Sequence, residues 1–432
     1  MKTLKKVIVV GGGAGGLKLV TMLGNKLGKK KLAEIILVDK NKTHVWKPLL
    51  HEVASGYLDC EKNEISYFVH SKKNHFIFKF GSLLNIDREN KLILLKEIKN
   101  KNGKTLVRKR KIFFDILVIA TGGISNDFNI PGVKKHCMFL DNLNQAKLFH
   151  KKILESFFIL SNKKEKLKKI SIAIVGGGAT GIELSAELYN LIKYLNKYKF
   201  DGKSFYVINV ILIESEDRIL PSLPEKISKL VSHRLTKIGV CILTKTTITS
   251  VEKNTLNTKN EKKISADIIV WAAGVKVPDF MKNIGGLITN KINQLIIKST
   301  LQTTIDNSIF SIGDCSSCKQ DNGFVPPRAQ AASQMAKLCC ENIVSLIRNK
   351  PLKKYSYIDR GFIISLSEFD VIGNLIITTK NKPILIQGKT ARLIYHLLYK
   401  IHQISIFGFC KTFLMAILSI INRIIHSKLK FH

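Results

Sequence analysis

Val7-Ile8-Val9-Val10-Gly11-Gly12-Gly13-Ala14-Gly15-Gly16 opens the chain, and Ile172-Ala173-Ile174-Val175-Gly176-Gly177-Gly178-Ala179-Thr180-Gly181 repeats its design in the middle third. Each apolar run has the length of a buried strand and delivers a glycine turn. A helical pattern follows in both places, Leu17-Lys18-Leu19-Val20 and Ile182-Glu183-Leu184-Ser185-Ala186-Glu187-Leu188. This is the context a dinucleotide-binding fingerprint requires. Gly11 and Gly176 allow the tight turn, Gly13 and Gly178 admit a pyrophosphate to the backbone, and Gly16 and Gly181 let helix pack on strand. The helix N-terminus offers free N–H groups and the positive end of its dipole. An acid should close the following strand and hold a ribose. Ile35-Ile36-Leu37-Val38 ends in Asp39, and Val210-Ile211-Leu212-Ile213 ends in Glu214. The chain therefore reads as binding two dinucleotides.

Glu214 also selects between nicotinamide cofactors, because a carboxylate accepts from a 2′-hydroxyl and repels a 2′-phosphate. NADH is favoured over NADPH. Arg218, four residues on, is the nearby cation able to neutralise such a phosphate.

The surrounding chain fits a split architecture. Residues 1–130 read as the first part of an FAD-binding domain, ending in the strand Ile116-Leu117-Val118-Ile119 and the small-residue turn Ala120-Thr121-Gly122-Gly123. After a connecting segment, 131–170, an inserted NADH-binding domain spans 171–275 and closes on Val270-Trp271-Ala272-Ala273-Gly274. Residues 276–350 return to the FAD domain, where Phe310-Ser311-Ile312-Gly313-Asp314 is a strand ending in an acid placed for ribityl hydroxyls. A helix from about Pro327 to Leu346 then aims its positive end at the flavin. Strands are expected over 351–389 and helices over 390–432. The fold class is α/β, with two Rossmann-like domains and a C-terminal amphipathic helical anchor.

Composition bears on partners. The chain has 432 residues, 45% of them hydrophobic, and a net charge of +38, so it buries several cores and is not disordered. Lysine-rich stretches such as 161–169 suggest excess spread over the whole surface, although an anionic partner is the other interpretation. No nucleic-acid-binding motif is recognisable, and none is expected to be bound. Val371 to His432 differs, with no Asp or Glu, nine Lys or Arg and a strongly apolar character. Leu393, Ile394, Leu397, Leu398 and Ile401 fall on one helical stripe, with Arg392, His396, Lys400 and Gln403 on other faces. Phe413 to Ile421 is too short to span a hydrocarbon core, which takes about 20 apolar residues, and Lys411 interrupts any extension back to Ile404. An interfacial anchor on an anionic membrane, with Arg423, Lys428 and Lys430 toward headgroups, fits this pattern. The competing arrangement packs the helix on its own core or on a second copy in a homodimer. No secretory signal precedes the first strand, which places the body in the cytosol. The eight cysteines, Cys60 among them, are expected to be reduced thiols. Cys315 and Cys318 form a CxxC that suits a small-residue loop better than a metal site, and no metal is expected.

Fold alone does not choose a reaction. A disulfide reductase would carry a cysteine pair after the second strand, whereas this chain has His44-Val45-Trp46-Lys47-Pro48-Leu49-Leu50-His51-Glu52-Val53-Ala54. That stretch resembles the type II NADH dehydrogenases, single-subunit NADH:quinone oxidoreductases of bacterial membranes. The likeness continues through the second glycine loop with Glu183, Val270 to Gly274, Gly313-Asp314-Cys315, and Phe324 to Gln334. Trp46-Lys47 and Cys315-Ser316-Ser317-Cys318 look like the proteobacterial branch. The resemblance implies Gly11, Gly13, Gly16, Asp39, Pro48, Ala120, Gly122 and Asp314 around FAD. It implies Gly176, Gly178, Gly181, Glu183, Glu214 and Gly274 around NADH, and Gln330 with Gln334 on one helical face lining a quinone tunnel. Glu183 is expected beside the nicotinamide and the proton chemistry, against the alternative of a surface carboxylate. The implied reaction passes hydride from NADH to FAD and electrons to a membrane quinone, without proton pumping, at the cytoplasmic face of the inner membrane. Reduction of a soluble acceptor, or a flavoprotein that chiefly binds an anionic partner, are the alternatives.

Overall fold

Ten short strands build two parallel sheets. In chain order they are β1 (Lys5–Val10), β2 (Ala33–Asp39), β3 (Ile77–Phe80), β4 (Ile116–Ile119), β5 (Met138–Phe139), β6 (Leu167–Val175), β7 (Phe205–Ile213), β8 (Cys241–Leu243), β9 (Ile268–Trp271) and β10 (Ile309–Ser311). The first sheet has the order β10-β4-β1-β2-β3 and the second β5-β9-β6-β7-β8. The computed structural model describes residues 4–58, 64–100, 102–162, 167–197, 205–321, 323–377 and 383–425. Cys60, residues 163–166, Lys428, Lys430 and the side chain of Arg423 lie outside that description.

The strands read as apolar runs because parallel sheets are covered on both faces. Val7, Ile8 and Val9 are wholly buried in β1, as are Ile172, Ala173 and Ile174 in β6. Burying each of these valines and isoleucines contributes about 1.5–3 kcal/mol relative to exposure. Strands β1 and β6 each pair in parallel with a neighbour on either side. Their carboxyl ends are thus the switch points where doubly wound sheets hold ligands.

Two compact units result. One comprises Met1–Trp46, Glu61–Ile124 and Val275–Tyr357; the other comprises Lys47–Cys60, Ser125–Gly274 and Ile358–His432. Helix α1 (Ala14–Leu23) follows β1 in the first. The second takes in α2 (Leu50–Ala54), α3 (Leu143–Ser161) and α4 (Ala179–Lys197), the last following β6. The stretch 131–170 is therefore more than a connector, since it supplies α3 and the edge strand β5 to the second unit. Helix α5 (Ala329–Ile347) packs on α1 in the first unit, where Gly15 faces Ala332.

Beyond residue 357 the chain stays in the second unit. Strands β11 (Gly361–Leu366), β12 (Asp370–Leu375) and β13 (Ile384–Gln387) form an antiparallel meander. Helices α6 (Gly388–Phe407) and α7 (Phe409–Ile425) follow, separated at Gly408 with φ +81°. Leu393, Leu397, Leu398 and Ile401, read as a stripe in the sequence, are exposed on α6. So are Phe409, Phe413, Leu414 and Leu418 on α7. Among the described residues no helix is long and apolar enough to cross a membrane.

Candidate functional site

The first loop divides its glycines by task. Gly11 adopts φ +102°, and a Cβ there would collide with the Ala120 carbonyl; one at Gly16 would collide with the Gly11 carbonyl. At Gly13 a Cβ would meet nothing within 4 Å. The outer glycines are thus required by packing and the middle one faces open space. Asp39 Oδ2 accepts from the Gly12 amide at 2.6 Å, so this acid tethers the loop. Burial raises its pKa, against the lowering effect of the Gly12 and Asn41 amides. Two residues not singled out from the sequence fix the same turn. The Tyr67 hydroxyl donates to the Gly12 carbonyl at 2.7 Å, and His44 Nδ1 lies 2.9 Å from it. Burial lowers the His44 pKa to about 4. A neutral ring can donate to a carbonyl only with its proton on Nδ1.

The second loop repeats this geometry. Gly176 has φ +117° and lies against Ala272, Gly181 lies against the Gly176 carbonyl, and Gly178 faces open space. Glu214 Oε2 accepts from the Gly177 amide at 2.8 Å, and its Oε1 accepts from the Glu216 amide at 3.1 Å. Gly274 has φ +64°, where a Cβ would press on the Phe128 ring. Arg218 donates to the carbonyls of Leu223 and Pro221, each at 2.8 Å. It clamps its own loop, which removes the counter-argument to a cofactor lacking the 2′-phosphate.

Around the first loop the structure gathers Gly11, Gly13, Gly16, Asp39, Ala120, Gly122 and Asp314. Gly122 has φ +71° and faces open space, and a Cβ on Gly123 would lie 3.4 Å from Asp314 Cβ. The Asp314 carbonyl accepts from Gln294 Nε2 at 2.9 Å. Pro48, implied beside them, belongs to the second unit, in the turn Lys47–Leu49 before α2. Gln330 and Gln334 lie in the first two turns of α5, half-buried, and Gln330 Oε1 accepts from the Tyr357 hydroxyl at 2.7 Å. Cys315 and Cys318 are buried, and burial raises both thiol pKa values, Cys318 to about 11. Among the described residues no three His, Cys, Asp or Glu side chains gather as a metal-ligand set.

Glu183 is not a surface carboxylate. It is 8% exposed; its Oε1 accepts from the Ser365 amide at 3.1 Å and its Oε2 lies 3.4 Å from His51 Nδ1. Burial, with Glu52 and Glu187 nearby, raises its pKa to about 8. Burial lowers that of His51 to about 3. At neutral pH the acid keeps its proton and the imidazole lacks a second one, so their contact joins two neutral groups. Glu187, one turn on, is likewise buried and raised to about 8.

Comparison with known proteins agrees with this geometry. Residues 5–336 match the family model of the pyridine nucleotide-disulphide oxidoreductases. The type II NADH:quinone oxidoreductase of Haemophilus influenzae is 46% identical over 444 residues, covering 99% of this chain and 100% of that protein. This chain belongs to the type II NADH:quinone oxidoreductases. The Staphylococcus aureus protein of the same name is 31% identical, covering 90% of this chain and 92% of its own. Among solved structures, NDH2 from Plasmodium falciparum in complex with NADH has a TM-score of 0.78 at 21% identity, over 95% of this chain and 98% of that one. The family uses FAD and NADH, and the residues present fit both. Each loop offers an open cradle at its middle glycine and a carboxylate at the next strand's end.

Proposed function

We propose that this chain oxidises NADH and reduces a membrane quinone, the first unit holding FAD and the second NADH. The observation that carries this is the pair of acid-tipped loops, each open at its middle glycine, in a chain of this family. FAD, when bound, would supply the two-electron chemistry that links hydride from NADH to quinone reduction. Gly11, Gly13 and Gly16 with the α1 N-terminus would hold its pyrophosphate, Asp39 its ribose, and Ala120, Gly122 and Asp314 its remaining length. Gly176, Gly178 and Gly181 do the same for NADH. Glu214 accepts from its ribose, and Gly274 gives close backbone approach. Gln330 and Gln334 line the quinone's access at the start of α5.

NADH delivers one proton with its electrons, and forming a hydroquinone takes two. The second must cross the protein. Glu183 retains a proton at neutral pH and is the group we assign to carry it. The exposed apolar stripes of α6 and α7, with the basic surplus of this region, support docking in an anionic membrane interface. The protein then acts as a peripheral enzyme at the cytoplasmic face.

Steady-state NADH oxidation by membrane-bound protein, with and without a short-chain quinone, tests the activity. Turnover that requires quinone and prefers NADH over NADPH is expected. Flavin bleaching by NADH without quinone turnover overturns it in favour of a soluble acceptor. A truncation ending at Gln387 should leave the membrane; one that stays bound removes the anchor, and a dimer lost on truncation would assign these helices to self-association.

A further inference from the structure

From Ile98 to Phe114 the chain carries seven Lys or Arg and no Asp or Glu. Within the first unit this stretch begins with a ribbon of two antiparallel strands, Ile98–Lys99 and Thr105–Val107. Its turn is fixed locally. Asn100 Oδ1 accepts from the amides of Asn102 at 3.0 Å and Lys104 at 2.9 Å, and Gly103 takes φ +80°. Among the described residues no third strand joins the ribbon, and Leu106 and Val107 are 62% and 37% exposed. Consecutive side chains of a strand point to opposite faces, so these two leave both sides of the ribbon apolar. A protein surface would cover one side; a fluid interface that admits the tip covers both.

An open groove of about 450 Å³ lies at the base of the ribbon. Phe78, Phe80, Ile98 and Ile112 give it apolar walls, and Lys79, Arg110 and Lys111 give it cations. Arg110 is held in place, its Nη2 donating to the Phe80 carbonyl at 2.6 Å, while its Nε has no hydrogen-bond partner among the described residues. Lys42 adds a fourth cation over the Phe80 ring, 5.7 Å from its centre. The carboxylates nearby are Glu97, paired with Lys99 at 2.9 Å, and Asp87, which acts on Lys111. Among the described residues neither Lys79 nor Arg108 has a carboxylate within 4 Å.

Cations set around an apolar trough match a ligand that is anionic at one end and hydrocarbon at the other. We infer that groove and ribbon together bind an anionic phospholipid. Its phosphate lies against Lys79, Arg110 and Lys111, its acyl stem runs along Phe80 and Ile112, and the ribbon tip enters the interface beside it. A soluble phosphate would engage the cations and leave Leu106 and Val107 in water. The site belongs wholly to the first unit. It therefore goes beyond the docking proposed for α6 and α7, which belong to the second.

The test uses full-length, flavin-loaded protein on vesicles whose phosphatidylglycerol carries a photoreactive acyl chain, with the cross-linked peptides mapped by mass spectrometry. Wild type should be labelled on the stretch 98–113. That labelling should fall about fivefold for each cation removed in Lys79→Gln, Lys111→Gln and the double variant, and also in Leu106→Ser/Val107→Ser. Labelling of α6 and α7 is scored separately, so a failure of the helical anchor is told apart from a failure of this site. Wild type labelled on the helices and bare on the ribbon overturns the inference, as does ribbon labelling undiminished in the double lysine variant. Inorganic phosphate that competes as well as unlabelled phosphatidylglycerol makes this a site for a soluble anion, and equal labelling from a zwitterionic lipid removes the charge recognition; either outcome is fatal. Loss of flavin from a folded lysine variant assigns the groove to the cofactor and is fatal too. Should the double variant not fold, Lys111→Gln, at an exposed position, decides alone.

Discussion

Glu214 and Glu183 are both glutamates near the second loop, yet they were legible in the sequence to different degrees. Glu214 closes the strand that follows the second glycine fingerprint, a position that local grammar picks out, and its carboxylate accepts from the Gly177 amide. The environment of Glu183 comes from His51 and Ser365, distant in sequence, and no periodicity within α4 reports them. The same holds for Tyr67 and His44, whose grip on Gly12 is purely tertiary. Arg218 was misleading, because its neighbours' carbonyls compete for it. We expect Glu214→Ala to raise the KM for NADH by about tenfold or more, as loss of a charged hydrogen bond requires. NADPH should gain little while Arg218 stays engaged; steady-state kinetics with both nucleotides check this. The buried acids also predict a pH dependence of stability. Folding raises Glu183 and Glu187 from 4.5 to about 8. The folded state therefore binds more protons in that window, and their contribution is complete below the unfolded pKa and lost as pH rises through the folded one. Glu187→Gln, which stays neutral, should gain thermal midpoint over wild type by roughly 2 °C or more on moving from about pH 6 to about pH 9. An equal difference at both pH values would refute the assignment.

Each strand, turn and helix of the two loops behaves as one element, and here the sequence was most informative. Three glycines at fixed spacing announce both the packing and the open cradle, since each spacing serves a distinct steric need. The inner face of α6 was less legible. Its apolar stripe was visible, but that stripe is the exposed side, and the polar Tyr395 and Gln403 turn inward. Amphipathic periodicity finds two faces without saying which one meets the protein. The glycines give a paired prediction. Gly16→Ala puts a methyl into the Gly11 carbonyl and should cost about 2 kcal/mol or more, with flavin lost. Gly13→Ala meets no protein atom within 4 Å, so apoprotein stability should hold while flavin retention falls. Melting curves and flavin absorbance of the two variants separate packing from ligand contact.

For the molecule as a whole, the net charge of +38 should make membrane attachment strongly dependent on salt and on anionic lipid. Co-sedimentation with anionic vesicles at low and high ionic strength measures it, and equal binding to neutral vesicles would refute an electrostatic contribution. NADH oxidation in reconstituted vesicles should generate no membrane potential, which a voltage-sensitive dye would report. The break at Gly408 carries one more consequence. If α6 and α7 dock on a membrane as proposed, the break lets each rod tilt and settle at its own depth instead of matching one hydrophobic length to the bilayer. An anchor of that kind would suffer no hydrophobic mismatch. The enzyme should bind thin and thick bilayers alike, responding to the packing of one leaflet's surface and indifferent to the distance to the other.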